Sequence, residues 1–252
     1  MTVADGSDLW LRRFHPAPDA PVRLVCFPHA GGSASFYFPV SAALHNDSEV
    51  AVLQYPGRQD RRNEPHVDDI GELADRIAPL VAPLFDRPVV FFGHSMGAIV
   101  AYEVARRLKE QEHTPAALFV SGRRAPSTHR EEKVHLRDDD GLMDDVKALS
   151  GTDTQVLGDE EILRMVLPAI RSDYRAIETY GPENGTVDCP ITALIGDDDP
   201  KATVEETDVW RAHTTAAFDL QVFAGGHFFI SSRAAEVIAV LRAGLRGAVA
   251  VG

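Results

Sequence analysis

The sequence predicts a doubly wound α/β fold built on a mostly parallel sheet, and two observations carry that expectation. Short apolar runs recur along the chain, bounded by Gly, Pro or Asp, with helical patterns between them. The length agrees, because 252 residues hold one large domain with a full core at about 100–200 residues per domain.

The runs at residues 22–27, 50–54, 89–92, 117–120, 191–195 and 218–223 are rich in β-branched and aromatic side chains. Parallel strands read this way because both sides of the pleat meet apolar neighbours. Between them, residues 70–84, 98–111 and 234–245 are helical candidates. Strands that alternate with helices are joined by right-handed crossovers, and working residues sit on loops at the carboxyl ends of the strands.

The segment from about 126 to 182 breaks this rhythm. It has helical patterns but no strand, and a structureless loop of roughly 55 residues is out of place in a compact domain. Residues 1–252 are therefore read as a single domain with a helical insertion. Ile162, Leu163, Met165, Val166, Ile170, Tyr174, Ile177 and Tyr180 recur within it at spacings near three and four, giving one apolar stripe. Such a stripe either packs the helix on the core or, as a lid, roofs a substrate chamber, and for the lid Met165, Ile170, Tyr174 and the more distant Phe228 are candidate substrate contacts.

Charge narrows the partners. With 25 Lys+Arg against 38 Asp+Glu the formal net charge is −13, a field that repels nucleic acid and anionic lipid, so neither is an expected partner. The N-terminus lacks a basic region followed by an apolar one, and no apolar stretch approaches the roughly 18–20 residues that span a bilayer, so a cytoplasmic location is expected. Cys26 and Cys189 sit in apolar contexts and are read as reduced core thiols; no Cys/His cluster has zinc spacing. Arg58, Arg61 and Arg62, beside Gln59 and Asp60, are read as a solvated loop.

The strongest chemical signal is Gly93-His94-Ser95-Met96-Gly97, a G-x-S-x-G directly after an apolar strand and before a helix. A serine on so sharp a turn is lifted into solvent, and the glycines leave room for neighbouring elements to approach. Ser95 is the candidate nucleophile. A serine hydroxyl needs a base to take its proton and a third group to hold that base. His227 fits, because it follows a strand-like run and Gly225-Gly226 and precedes Phe228-Phe229. His94 must face away from Ser95, and His15, His45, His66, His113, His129, His135 and His213 are expected at the surface.

A strand at 191–195 ends in Gly196-Asp197-Asp198-Asp199-Pro200, which gives the chain order Ser, Asp, His of the α/β-hydrolase fold. Spacing leaves open which aspartate orients His227. The three do not make a calcium loop, since no Gly and Glu follow at the required spacing. For a tetrahedral oxyanion the Met96 N–H is one donor by construction, at the positive end of the helix that starts there. The other is expected from Pro28-His29-Ala30-Gly31-Gly32, a glycine-rich turn after an early strand, with the Ala30 N–H as donor.

Taken together, Phe27-Pro28-His29-Ala30-Gly31-Gly32, Leu53-Gln54-Tyr55-Pro56-Gly57-Arg58, Phe92 through Ala98, Ser121-Gly122-Arg123-Arg124-Ala125-Pro126, Gly196 through Pro200 and Gly225-Gly226-His227-Phe228-Phe229 resemble the type II thioesterases of polyketide and nonribosomal peptide synthases. The resemblance covers nearly the whole chain. It implies an acid loop of the form G-x-x-D-P, which falls on Asp199. It also implies an editing thioesterase that needs no metal or organic cofactor and frees stalled acyl groups from the phosphopantetheine arm of an acyl- or peptidyl-carrier protein, or from small acyl thioesters. A carboxylesterase or acyltransferase with the same three residues is the alternative, followed by a non-catalytic acyl-binding protein of this fold. Since carrier proteins are commonly acidic, Arg58, Arg61, Arg62, Arg123 and Arg124 are candidates for a docking patch.

Overall fold

The computed structural model describes residues 7–150, 160–181 and 185–251. Seven strands form one sheet: β1 (Leu11–Arg12), β2 (Arg23–Phe27), β3 (Glu49–Leu53), β4 (Val89–His94), β5 (Ala117–Ser121), β6 (Ile191–Gly196) and β7 (Phe218–Phe223), in the order β1-β3-β2-β4-β5-β6-β7. Only β1 runs antiparallel, pairing with β3. The other neighbours are parallel. The helices are α1 (Ser7–Trp10), α2 (Phe38–Leu44), α3 (Ile70–Val81), α4 (Met96–Lys109), α5 (Asp139–Ser150), α6 (Glu160–Glu178), α7 (Val204–Asp208), α8 (Phe229–Ser232) and α9 (Ala234–Val251).

Alternation along the strands explains the two layers. In β2 and β4, Val25, Phe27, Val89 and Phe91 pack with Ile70, Leu73, Ile77, Ile99 and Tyr102 of α3 and α4. Their neighbours Leu24, Cys26, Val90 and Phe92 point the other way, to Leu44 of α2 and Val237, Leu241 and Leu245 of α9. Both cysteines are free and buried, as expected. Burial pushes both thiols up, Cys189 to about 12. All six expected strands are present within a residue or two of their expected bounds. The helix expected at 70–84 stops at Val81, where Pro83 cannot donate a backbone hydrogen bond, and a 3-10 turn over Ala82–Asp86 completes it.

The chain passes from β2 to β3 on one side and then returns to place β4 on the other, so the strand order reverses between β2 and β4. Open α/β sheets leave a crevice at such a point, beyond the carboxyl ends of the strands. Phe27 pairs with Gly93 across these two strands, which brings the loop after β2 beside the turn after β4.

Between β5 and β6 stand α5 and α6, the helices of the expected insertion. Residues 151–159 and 182–184 lie outside those described, and with them the expected boundary at 182. Leu142 and Met143 of α5 meet Leu163, Leu167, Ile170 and Tyr174 of α6 in a small core of their own, and Ala30 packs against it. The buried stripe is thus 163, 167, 170, 174 and 177. Met165 is 72% exposed and Val166 is exposed too. Met165 lies two residues from Leu163, about 200° around the helix, so it faces outward, away from the stripe in which its spacing had placed it. Ile162 belongs to α6, but its side chain lies outside the described residues.

The arginine loop is another correction. Arg58, Arg61, Arg123 and Arg124 are buried, and only Arg62 of the five docking candidates is exposed. Their guanidinium groups have internal tasks. Arg58 pairs with Asp173; Arg61 binds Glu64 and the Gln54 carbonyl and stacks on Trp10; Arg124 pairs with Glu132. His213 is also buried rather than superficial, with Nε2 2.8 Å from Ser127 Oγ and Nδ1 3.2 Å from the Tyr102 hydroxyl.

Candidate active site

The turn from β4 into α4 holds Ser95 at φ 55°, ψ −121°, a conformation an L-residue adopts only under constraint from its surroundings. Close contact on both sides supplies that constraint. A Cβ on Gly97 would lie 2.0 Å from the Phe27 carbonyl oxygen, and one on Gly93 would lie 2.2 Å from the Gly97 carbonyl oxygen. Only glycine lets β2, β4 and α4 approach this closely. The Ser95 N–H donates to the Ser121 carbonyl at 2.8 Å, tying the turn to β5.

Three of the expected residues come together here. His227 Nε2 is 3.0 Å from Ser95 Oγ, and His227 Nδ1 is 2.9 Å from each carboxylate oxygen of Asp199. His227 and Asp199 are both buried. With a carboxylate on Nδ1, the proton of neutral imidazole sits on that nitrogen and Nε2 is left to accept the serine O–H. Asp199 Oδ1 also accepts the Lys201 N–H at 2.9 Å. The choice that spacing left open is visible in the geometry. Asp197 instead accepts the Gly225 N–H at 2.8 Å, fastening the loop after β6 to the loop that carries His227, and Asp198 is exposed.

Met96 opens α4, so its N–H lies in the first turn, where amides lack an intrahelical acceptor. Ala30 lies on the wall of the cavity shared by Ser95 and His227. This cavity of about 50 Å³ is lined on the sheet side by His29, Ala30, Ser95, His227 and Phe228, and on the insertion side by Val146, Leu149, Tyr174 and Ile177. Tyr174 and Phe228 thus lie on its wall. Ile170 does not: it is buried against Gly31.

Two histidines crowd the site. The His94 ring is 5.0 Å from that of His227, and its Nδ1 meets Ser121 Oγ at 3.0 Å, facing away from the serine as expected. Burial and the charge of His227 pull His94 well below the ordinary histidine range. The same causes, with Arg58, pull His29 down to about 3. Both stay neutral near pH 7, so neither opposes a positive charge on His227. Four charged side chains also reach the cavity: Arg123, Glu132, Glu178 and Lys201. Glu132 is held by Arg124, and Glu178 by His135 and two backbone N–H groups. Arg123 Nε is buried with no hydrogen-bond partner, and burial together with the Arg124 charge pulls this guanidinium down to about 9.

Sequence reasoning missed that His29 and Arg123 line the cavity and that Arg58 pairs with Asp173, although Pro-His-Ala-Gly-Gly and Tyr-Pro-Gly-Arg draw attention to two of the loops concerned. Among the described residues no group of three His, Cys, Asp or Glu side chains could hold a metal ion. No described helix is long and apolar enough to cross a membrane.

A strained serine after the central strand, a histidine on its hydroxyl and an aspartate behind that histidine are the arrangement of a serine hydrolase on the α/β-hydrolase fold. The chain belongs to the thioesterase domain family, whose pattern matches residues 22–245. It is 59% identical over 231 residues to a probable cadicidin biosynthesis thioesterase of Streptomyces griseus, covering 91% of this chain but 64% of that protein's length. It is 50% identical over 235 residues to the thioesterase PikA5 of Streptomyces venezuelae, covering 92% of this chain and 83% of the relative. Among solved structures, the type II thioesterase BorB from the borrelidin biosynthetic cluster superposes with a TM-score of 0.91 at 48% identity, covering 94% of this chain and 98% of that one.

Proposed function

We propose that this chain is a serine thioesterase that hydrolyses acyl groups from the phosphopantetheine arm of acyl- or peptidyl-carrier proteins, clearing stalled or wrong groups from a polyketide or nonribosomal peptide synthase. The observation that carries the reading is the Ser95–His227–Asp199 series of hydrogen bonds opening on a cavity, in a chain of the thioesterase family. The biosynthetic relatives support the setting. Family membership favours a thioester over the oxygen ester of a carboxylesterase.

In this mechanism His227 Nε2 takes the hydroxyl proton as Ser95 Oγ attacks the thioester carbonyl. The Ala30 and Met96 N–H groups hold the oxyanion of the tetrahedral intermediate. The intermediate collapses to an acyl-serine, and the thiol of the arm leaves with the proton from His227. A water molecule then gives a proton to His227 and attacks the acyl-serine; Ser95 leaves with that proton, and the carboxylic acid is released. Asp199 stays ionised and orients the imidazole. The insertion at about 126–182 is the lid of a single domain, and the protein works in the cytoplasm with its carrier.

The test is intact-protein mass spectrometry of an acetyl- or propionyl-loaded carrier protein, incubated with wild type or Ser95→Ala. Loss of the acyl mass with wild type alone is expected. No loss with wild type, together with turnover of oxygen esters, would overturn the reading.

A further inference from the structure

The loop at residues 28–31, which carries the Ala30 N–H, is gripped from two directions. On one side the buried Tyr55 donates its hydroxyl to the Pro28 carbonyl at 3.3 Å. On the other, the Gly31 N–H donates to Asp173 Oδ2 at 2.7 Å. Asp173 belongs to α6 of the insertion and is only 3% exposed, and the same oxygen accepts from the buried Arg58 guanidinium. Arg58 is held in turn by the Pro56 carbonyl at 3.2 Å. Ile170, one helical turn before Asp173, presses on the same glycine: a Cβ at Gly31 would lie 2.6 Å from Ile170 Cγ1, and Gly31 sits at φ +73°. Ala30 itself packs against the small core of α5 and α6.

The hydrogen bonds of the His227 ring go to Asp199 and Ser95 Oγ, not to these groups. As a stability device the buried pair is a poor one, because a hydrophobic replacement of such a pair is often neutral or stabilising. What it does is fix direction. Peptide planes are rigid, so holding the Pro28 carbonyl at one end and the Gly31 N–H at the other leaves the Ala30 amide between them little freedom. A donor misplaced by about 1 Å can cost on the order of a hundredfold in rate.

We propose that Asp173 is a positioning residue for oxyanion stabilisation. Through Gly31 it sets the direction of the Ala30 N–H, and it does so from the insertion, so the donor is in place only while α6 is docked on the loop. Hydrolysis and lid closure are thereby one event. The inference rests on the serine thioesterase reading above.

Two variants without a buried charge isolate the contact. In Arg58→Met/Asp173→Asn an amide oxygen still accepts the Gly31 N–H; in Arg58→Met/Asp173→Leu nothing does. With an acyl cysteamine thioester, the Asn variant is expected to exceed the Leu variant in kcat by about tenfold or more, with KM within about threefold, since removal of an oxyanion donor costs roughly 10²–10³. Affinity for a trifluoromethyl ketone, which forms a tetrahedral oxyanion on the serine, should fall in parallel with kcat. Equal kcat values, or a difference confined to KM, would overturn the proposal. Should the Leu variant not fold, Asp173→Glu decides: it keeps a charge for Arg58 but displaces the loop by a methylene, and kcat should drop at an unchanged melting temperature, whereas unchanged kcat would overturn the proposal. Ser95→Ala separates the two readings. Residual activity there removes the serine mechanism; an inactive Ser95→Ala with equal double variants removes only the positioning role.

Discussion

The imidazole of His29, which lines the cavity that His227 and Ser95 share, meets that of His94 edge to face with centroids 5.9 Å apart. Each ring is desolvated, and each would feel the charge of His227 if it took a proton. The buried His94 and the half-buried His29 thus remain neutral well below the pH at which exposed histidines charge.

The sign of the pH dependence follows. Both folded-state pKa values lie below the unfolded value of 6.5, so the unfolded chain binds more protons, and the contribution to stability, full above about pH 6.5, is lost as pH falls. Each group adds at most about 1.4 kcal/mol per pH unit. Urea unfolding should therefore show stability falling by about 2 kcal/mol between pH 6 and pH 5. His94→Gln should remove about half of that slope. A profile flat from pH 7 to pH 5 would mean that both rings take up protons in the folded protein as readily as in the unfolded chain.

Replacing each member of the Ser95–His227–Asp199 series separates their parts. Ser95→Ala and His227→Ala should each lower kcat by a factor on the order of 10³–10⁶, and the Ser95→Ala/His227→Ala double variant by little more, because the residues act as a unit. Asp199→Asn should lower kcat by about 10³–10⁴ while leaving labelling of Ser95 detectable, since it disturbs the imidazole tautomer and leaves the serine in place. Single-turnover measurements on one thioester substrate check all four.

Two glycines of α9 should respond in opposite ways to alanine. A Cβ at Gly247 meets nothing within 4 Å, so Gly247→Ala should stabilise by about 0.5–1 kcal/mol through helix propensity. At Gly244 it would lie 2.3 Å from Phe119 Cζ, so Gly244→Ala should destabilise by about 1–3 kcal/mol through overpacking. Thermal melts of the two variants decide.

Arg123 offers a trade between stability and use. Its Nε is buried without a partner and the neighbouring Arg124 repels it, so Arg123→Met should raise the unfolding free energy by about 1–2 kcal/mol. A stable Arg123→Met protein with altered acyl-chain preference would show that the charge is retained for the cavity. A destabilised one would show that the guanidinium is compensated inside the fold.

How much was legible in the sequence depended on whether the cause was local. The six longer strands could be read because apolar neighbours on both faces leave near-continuous hydrophobic runs, whereas β1, with two residues, has no pattern to read. The serine turn and its histidine announced themselves by glycines at fixed offsets. Asp197 and Asp199 could not be told apart, because their difference lies in what each carboxylate meets across the sheet end, the Gly225 amide or the His227 ring. Arg58 reads as a solvated charge until Asp173, 115 residues further on, folds over it. Met165 fell into the expected stripe because spacings near three and four include positions on either side of a helix, and only packing shows which of them face inward.

The two free thiols, shielded and hard to ionise, also decide how the protein can be watched. Cysteine reagents attack the thiolate, so Cys26 and Cys189 give almost no background in the native state. A cysteine introduced at the outward position of Met165 would be the single reactive thiol, and a dye placed there would report the position of α6 with every native residue of the site intact.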